Sequence, residues 1–235
     1  MDITSDWNGR LLAQVLSEAP SLTLSFYSYG ILLRKQEGDR VSEYPVDAEQ
    51  IALALSAKVR FDTGLLSDDT LLVRQEGAQR LVIAYRAPCK TGLFLEGSEH
   101  PLHVPLPALV LLRTVSDGQQ PQYALYAVKN RPVTLNEPLF HAPLPNVFNS
   151  GSICWGTVPR ASDAGLTGTS LAQDWDLLLG SRFGDHAVNG KSKRYPSDIR
   201  KMWATLEARH ARTYPKSDLL PVNKTLGQVI GEARA

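Results

Sequence analysis

This chain of 235 residues is expected to fold as an α+β protein: an antiparallel β-meander flanked by helices, with an N-terminal α/β extension. Two observations point there. From Thr70 onward, short aliphatic segments follow one another with turn residues between them. After Ser170, apolar residues fall instead on helical faces. Consecutive strands joined by short turns make an antiparallel sheet, which can bury a face under helices.

The extension covers residues 1–60. Asp6 is placed to cap a short helix with Leu11, Leu12, Val15 and Leu16 as its apolar stripe, ended by Pro20. Leu22 to Leu33 alternates and reads as a strand broken near Gly30, and Arg40 to Tyr44 returns after the Glu37-Gly38-Asp39 turn. Asp47 and Gln50 form a capping-box pattern ahead of a helix that runs through Ile51, Leu53 and Leu55 to about Lys58. No glycine-, serine- or proline-rich tract follows, so the extension is expected to pack on the main domain, residues 61–213.

In the main domain the strands are Thr70 to Gln75, Arg80 to Arg86, Gly92 to Leu95, Ala108 to Thr114 and Tyr123 to Lys129. Glu76-Gly77, Ser116-Asp117-Gly118 and Asn130-Arg131-Pro132 supply turns. Pro101, Pro105 and Pro107 mark a loop or an edge. Ser170 and Gln173 suggest a second capping box, followed by a helix with Leu171, Trp175 and Leu178 on one face and Gly180 as its stop. Pro196 opens a last helix, with Ile199, Met202, Trp203 and Leu206 on one face and Arg200, Lys201, Glu207 and Arg209 on the other. Residues 214–235 are polar apart from Leu219, Leu220, Val229 and Ile230 and read as a loosely attached tail.

Bulk properties narrow the function. The 25 basic and 24 acidic residues nearly cancel, which gives no argument for a nucleic-acid or membrane surface. Cys89 and Cys154, the two cysteines, lie far apart in sequence, so a reducing cytoplasm is the natural compartment. The acidic start, Met1 to Asp6, argues against a secretory signal. No Walker loop, GxGxxG, GxSxG, HExxH or CxxC occurs.

The chemistry concentrates in Leu144-Pro145-Asn146-Val147-Phe148-Asn149-Ser150-Gly151-Ser152-Ile153-Cys154-Trp155. Pro145-Asn146 and Asn149-Ser150-Gly151 are two turn signals too close together for a helix. Ser152 to Trp155 is then a short extended piece that carries a thiol out of a loop. A half-exposed cysteine near hydrogen-bond donors is a useful nucleophile, whereas one in apolar surroundings is a small core residue. Asn146 has two roles open to it, holding its turn through its own side chain or donating an N–H to a developing oxyanion.

The spacing Pro145-Asn146-Val147 to Gly151, Ile153 and Cys154 resembles the active-site segment of ubiquitin-conjugating (UBC-like) enzymes. There a His-Pro-Asn turn precedes a thioester-forming cysteine. Leu144 stands where that family has histidine. With Trp175 and the run Ser181 to His186, the segment is similar to a bacterial branch that includes PRTRC system protein B, in which a histidine lies downstream of the cysteine. The resemblance implies Cys154 as the thioester carrier, Asn146 as oxyanion donor and His186 as acceptor of the amine's proton or hydrogen-bond partner of the thiol, with Asp185 orienting it and His141 as its rival. It implies a ubiquitin-like protein and a ThiF-like adenylating enzyme as partners, and a JAB-type metalloprotease in the same pathway. On that resemblance the chain itself is expected to need no metal or nucleotide cofactor. An inactive scaffold that binds the ubiquitin-like partner and a Cys/His hydrolase are the alternatives. Lys191, Lys193 and Arg194 read as a solvated face, Trp155 and Trp175 as core, and Cys89 as incidental in a turn.

Overall fold

Four consecutive residues, Leu81, Val82, Ile83 and Ala84, are all buried, although neighbours along a strand face opposite ways. A sheet covered on both sides accounts for this. The computed structural model describes residues 20–56, 63–77, 79–116, 119–158 and 170–232. They belong to two units, Met1–Asp62 and Thr63–Ala235. The expected helix capped by Asp6, the end of the helix at Lys58 and part of the Ser116-Asp117-Gly118 turn lie outside the described residues.

The first unit holds an antiparallel three-stranded sheet of β1 (Leu22–Tyr27), β2 (Gly30–Glu37) and β3 (Arg40–Val46), in that order. The break expected near Gly30 is the first hairpin turn. Gly38 takes the second, with φ +60°. Helix α1 (Ala48–Ser56) follows, and Asp47 accepts the Glu49 amide at 2.7 Å, as an N-cap should.

The second unit is built on a six-stranded antiparallel sheet. Its strands are β4 (Thr70–Glu76), β5 (Gln79–Arg86), β8 (Ala108–Ser116), β9 (Gln122–Val128), β10 (Pro138–His141) and β12 (Pro221–Thr225), ordered β12-β10-β9-β8-β5-β4. The meander is therefore interrupted: β5 pairs with β8. Between them β6 (Cys89–Leu95) and β7 (Leu102–Leu106) leave to form a separate sheet with β11 (Arg182–Phe183), ordered β11-β6-β7. Pro105 sits in β7, the edge strand, where its missing N–H costs no ladder bond. Cys89 is a strand residue paired with Leu106 rather than part of a turn.

Alternation assigns the two faces of the large sheet. Val82, Ala84, Leu109, Leu111 and Leu125 face a core shared with the small sheet, with Trp175 and Leu178 of α2 (Ala172–Gly180) and with Met202 and Trp203 of α3 (Ile199–Ala208). Leu81, Ile83, Val110, Leu112 and Leu139 face a second core closed by Leu226, Val229 and Ile230 of α4 (Leu226–Glu232). The expectation of a loosely attached tail thus fails. Its few apolar residues are the stripe that covers a sheet face, and Pro221–Thr225 pairs with β10 as an edge strand.

Two helix starts also differ from expectation. Helix α2 has no side-chain cap; Ser170 Oγ accepts the Ala172 amide at 3.2 Å in a local turn. Helix α3 begins at Ile199, not at Pro196, because Asp198 accepts the Arg200 amide at 2.9 Å and grips the Arg200 guanidinium. The buried face of α3 is the expected one, Ile199, Met202, Trp203 and Leu206. Inside the larger core Arg113 donates to Asp174 at 2.9 Å, and Tyr123 donates to the other carboxylate oxygen at 2.7 Å. No helix among the described residues is long and apolar enough to cross a membrane.

Candidate functional site

Leu144, which stands where the ubiquitin-conjugating enzymes that the segment resembles have histidine, is fully buried and anchors the turn in the larger core. Asn146 then takes φ +61°, a left-handed conformation that asparagine tolerates better than most residues. Its carbonyl accepts the Cys154 amide at 2.7 Å, and Val147 forms an antiparallel bridge with Ile153. The segment is therefore a small closed hairpin, with Asn146 and Cys154 side by side at its base.

Strand β9 fixes the far arm. Where β10 leaves the sheet, Gly151 and Ser152 take its place: the Leu125 amide donates to Gly151 O at 2.8 Å, and Ala124 bridges Ser152. Gly151 has φ +93°, and a Cβ there would lie 2.3 Å from Tyr126 Cζ. Both the conformation and the space demand glycine. The Tyr126 hydroxyl donates to the Ser150 carbonyl.

A third segment, following α2, brings His186. The Asn146 amide donates to His186 O at 2.9 Å. The Asn146 side chain donates through Nδ2 to Arg182 O at 3.3 Å, while its Oδ1 accepts the Gly184 amide at 3.3 Å. Asn146 thus ties the thiol hairpin to β11 and the residues after it. Cys154 is half-buried and lines a cleft of about 480 Å³ together with Asn146, His186, Glu96, Arg182 and Gly184. Trp155 lines the same cleft and stacks edge-on to Tyr123 at 4.9 Å, which connects the cleft to the buried Arg113–Asp174 pair.

Cys154, Asn146 and His186, the three residues to which the resemblance points, line one cleft. Asp185 is only loosely related to the imidazole: its carboxylate lies 4.0 Å from His186 Nε2, with both side chains more than 70% exposed (72% and 77%). His141 does not line the cleft. It is a strand residue opposite Tyr126, and its pKa is lowered by burial and by the nearby Lys191 charge. Among the described residues, no group of three or more His, Cys, Asp or Glu is placed to hold a metal ion.

Lys191 corrects the reading of a solvated basic face. It is fully buried, and its ammonium donates to the Val147 carbonyl, beneath the hairpin. Burial pushes its pKa down to about 8. Ser192 is buried too, whereas Lys193 and Arg194 are exposed. Nothing in the run Lys191 to Arg194 signals which cation turns inward, since lysine is so seldom buried. Glu96 and Arg182 were also missed as cleft residues; Arg182 lay within the run carrying His186, but Glu96, just after β6, had no local signal.

The model of the family described as prokaryotic E2 family D matches residues 48–222. No curated protein matches the chain, and no solved structure does.

Proposed function

The chain belongs to prokaryotic E2 family D, and from that premise we propose that it is a UBC-like thioester carrier for a ubiquitin-like protein. The observation that supports this reading most directly is the shared cleft, which holds a half-buried thiol, a carboxamide and an imidazole drawn from three backbone segments.

In the proposed cycle a ThiF-like adenylating enzyme presents the C-terminus of the ubiquitin-like protein as a thioester. The Cys154 thiolate attacks that carbonyl, the enzyme's thiolate leaves, and the acyl group rests on Cys154. An amine then attacks the new thioester. Negative charge gathers on the carbonyl oxygen, where the Asn146 N–H stabilises it, and His186 accepts the proton that the amine loses. Collapse of the intermediate breaks the C–S bond and restores the thiolate. The register of Pro145, Asn146, Gly151, Ile153 and Cys154, with a histidine downstream, supports placing the chain in the PRTRC system protein B branch. A JAB-type metalloprotease would then act on the conjugate.

The test is to mix the protein with its cognate adenylating enzyme, ubiquitin-like protein and ATP. A reductant-sensitive mass increase on Cys154 is expected, and Cys154→Ser should trap a reductant-resistant oxyester. If the wild type forms no reducible adduct, the carrier role is wrong. Binding of the ubiquitin-like protein that survives Cys154→Ala would then mark a scaffold, and release of small acyl or peptide products without ATP a hydrolase.

A further inference from the structure

Strand β11 lies at the edge of its sheet. Phe183 turns its carbonyl toward β6, where it accepts the Glu96 amide at 2.9 Å. Alternate residues of an extended chain direct their polar groups to opposite sides. Arg182 O and Gly184 N–H therefore face away from β6, as the acceptor and donor that an edge strand offers to a new neighbour. Among the described residues no strand pairs with them. The Asn146 carboxamide does so instead, its Nδ2 on Arg182 O and its Oδ1 on the Gly184 amide.

A carboxamide carries the same donor and acceptor as a peptide unit, so one side chain stands in for a missing strand. It does so weakly. Both contacts measure 3.3 Å, longer than the usual value of about 2.9 to 3.0 Å. The Asn146 backbone amide holds His186 O at 2.9 Å, so the residue stays anchored if its side chain is displaced. Arg182, Gly184, Asn146 and Cys154 all line the one cleft.

We propose that the outer edge of β11 seats the extended C-terminal segment of the acyl donor, which adds as a short strand, takes over Arg182 O and Gly184 N–H, and releases the Asn146 carboxamide toward the carbonyl held on Cys154. The inference rests on the carrier reading above and specifies how that site engages its donor. Recognition is by main-chain hydrogen bonds, and proline is excluded at the donor residue whose N–H meets Arg182 O. In the empty protein Asn146 is parked; it becomes an oxyanion donor only once the segment is in place.

The experiment attaches a short alanine–glycine peptide, bearing a C-terminal cysteamine, to Cys154 through a disulfide in the Cys89→Ala protein. A series carrying one N-methyl group at each backbone nitrogen in turn is attached in the same way. In the adduct the Gly184 amide should exchange several-fold more slowly, because a main-chain acceptor at about 2.9 Å replaces the 3.3 Å contact with Asn146 Oδ1. The Asn146 side-chain NH2 resonances should also shift, and N-methylation at one position should abolish both changes. Unchanged Gly184 exchange in quantitatively modified protein would overturn the proposal, as would a series in which every N-methylated peptide behaves like its parent. The adduct forms by disulfide exchange without the adenylating enzyme, so this result is separate from enzymatic loading, whose absence would defeat the carrier reading instead.

Discussion

The side chain of Asn146 spans to Gly184, accepting its amide at 3.3 Å while donating to Arg182 O at the same distance. Its backbone sits at φ +61°, which glycine shares without strain. Asn146→Gly should therefore keep the turn and lose the carboxamide. The variant is expected to load Cys154 and to pass the acyl group to an amine on the order of a hundredfold more slowly, about 3 kcal/mol of lost oxyanion stabilisation. Single-turnover discharge of preloaded protein measures this.

Gly151 carries a prediction about stability alone. Alanine there would set a Cβ against the Tyr126 ring at 2.3 Å, in a backbone conformation with φ +93°. Gly151→Ala should cost about 3 kcal/mol or more, from overpacking and backbone strain together. The urea midpoint reports it.

The Arg113–Asp174 pair lies wholly inside the core, with side chains 3% and 4% exposed. Removing one member strands a buried charge, so Asp174→Asn should destabilise by about 3 to 5 kcal/mol. Arg113→Met together with Asp174→Leu should cost less than the sum of the single changes, and a double-mutant cycle by denaturation shows the difference.

Lys191 makes stability depend on pH. Its pKa falls from 10.5 to about 8 in the fold because burial disfavours the charged form. Below about pH 8 both states are protonated and the folded protein bears the full cost of the enclosed charge, about 3 kcal/mol. Between about 8 and 10.5 the unfolded chain binds more protons, so this penalty is relieved as pH rises. Relative to Lys191→Met, the wild type should gain stability between about pH 7.5 and pH 10, as followed by urea midpoints at each pH.

Truncation after Leu220 would remove β12 and α4. Leu226, Val229 and Ile230 are buried against the sheet, each contributing about 1.5 to 3 kcal/mol. The shortened protein is expected to lose cooperative unfolding by calorimetry.

The parts of this fold with local periodicity were readable from the sequence. Leu81 to Ala84 shows as an aliphatic run, and Ile199, Met202, Trp203 and Leu206 as a helical stripe. What stayed hidden was pairing between distant residues. Nothing local tells Gly92 to Leu95 to leave the meander, or Pro221 to Thr225 to return to β10, because those choices are decided by packing after collapse. The site divides the same way. Pro145, Asn146, Gly151 and Cys154 announce two turns and a thiol, since turn chemistry is local. The contacts of Asn146 with β11 and of Lys191 with Val147 span tens of residues and leave no trace in spacing.

The enclosure of Lys191 bears on self-damage. A thioester acylates any free amine within reach, and in the proposed carrier role a lysine with its pKa near 8, held against the Val147 carbonyl of the hairpin that carries Cys154, would be the readiest victim at neutral pH. Sealed from solvent, it is spared. In the proposed carrier role, an ester on Cys154 could then be held on the hairpin above Lys191 without acylating that amine, and aged, loaded protein should show adducts on exposed lysines while Lys191 stays unmodified.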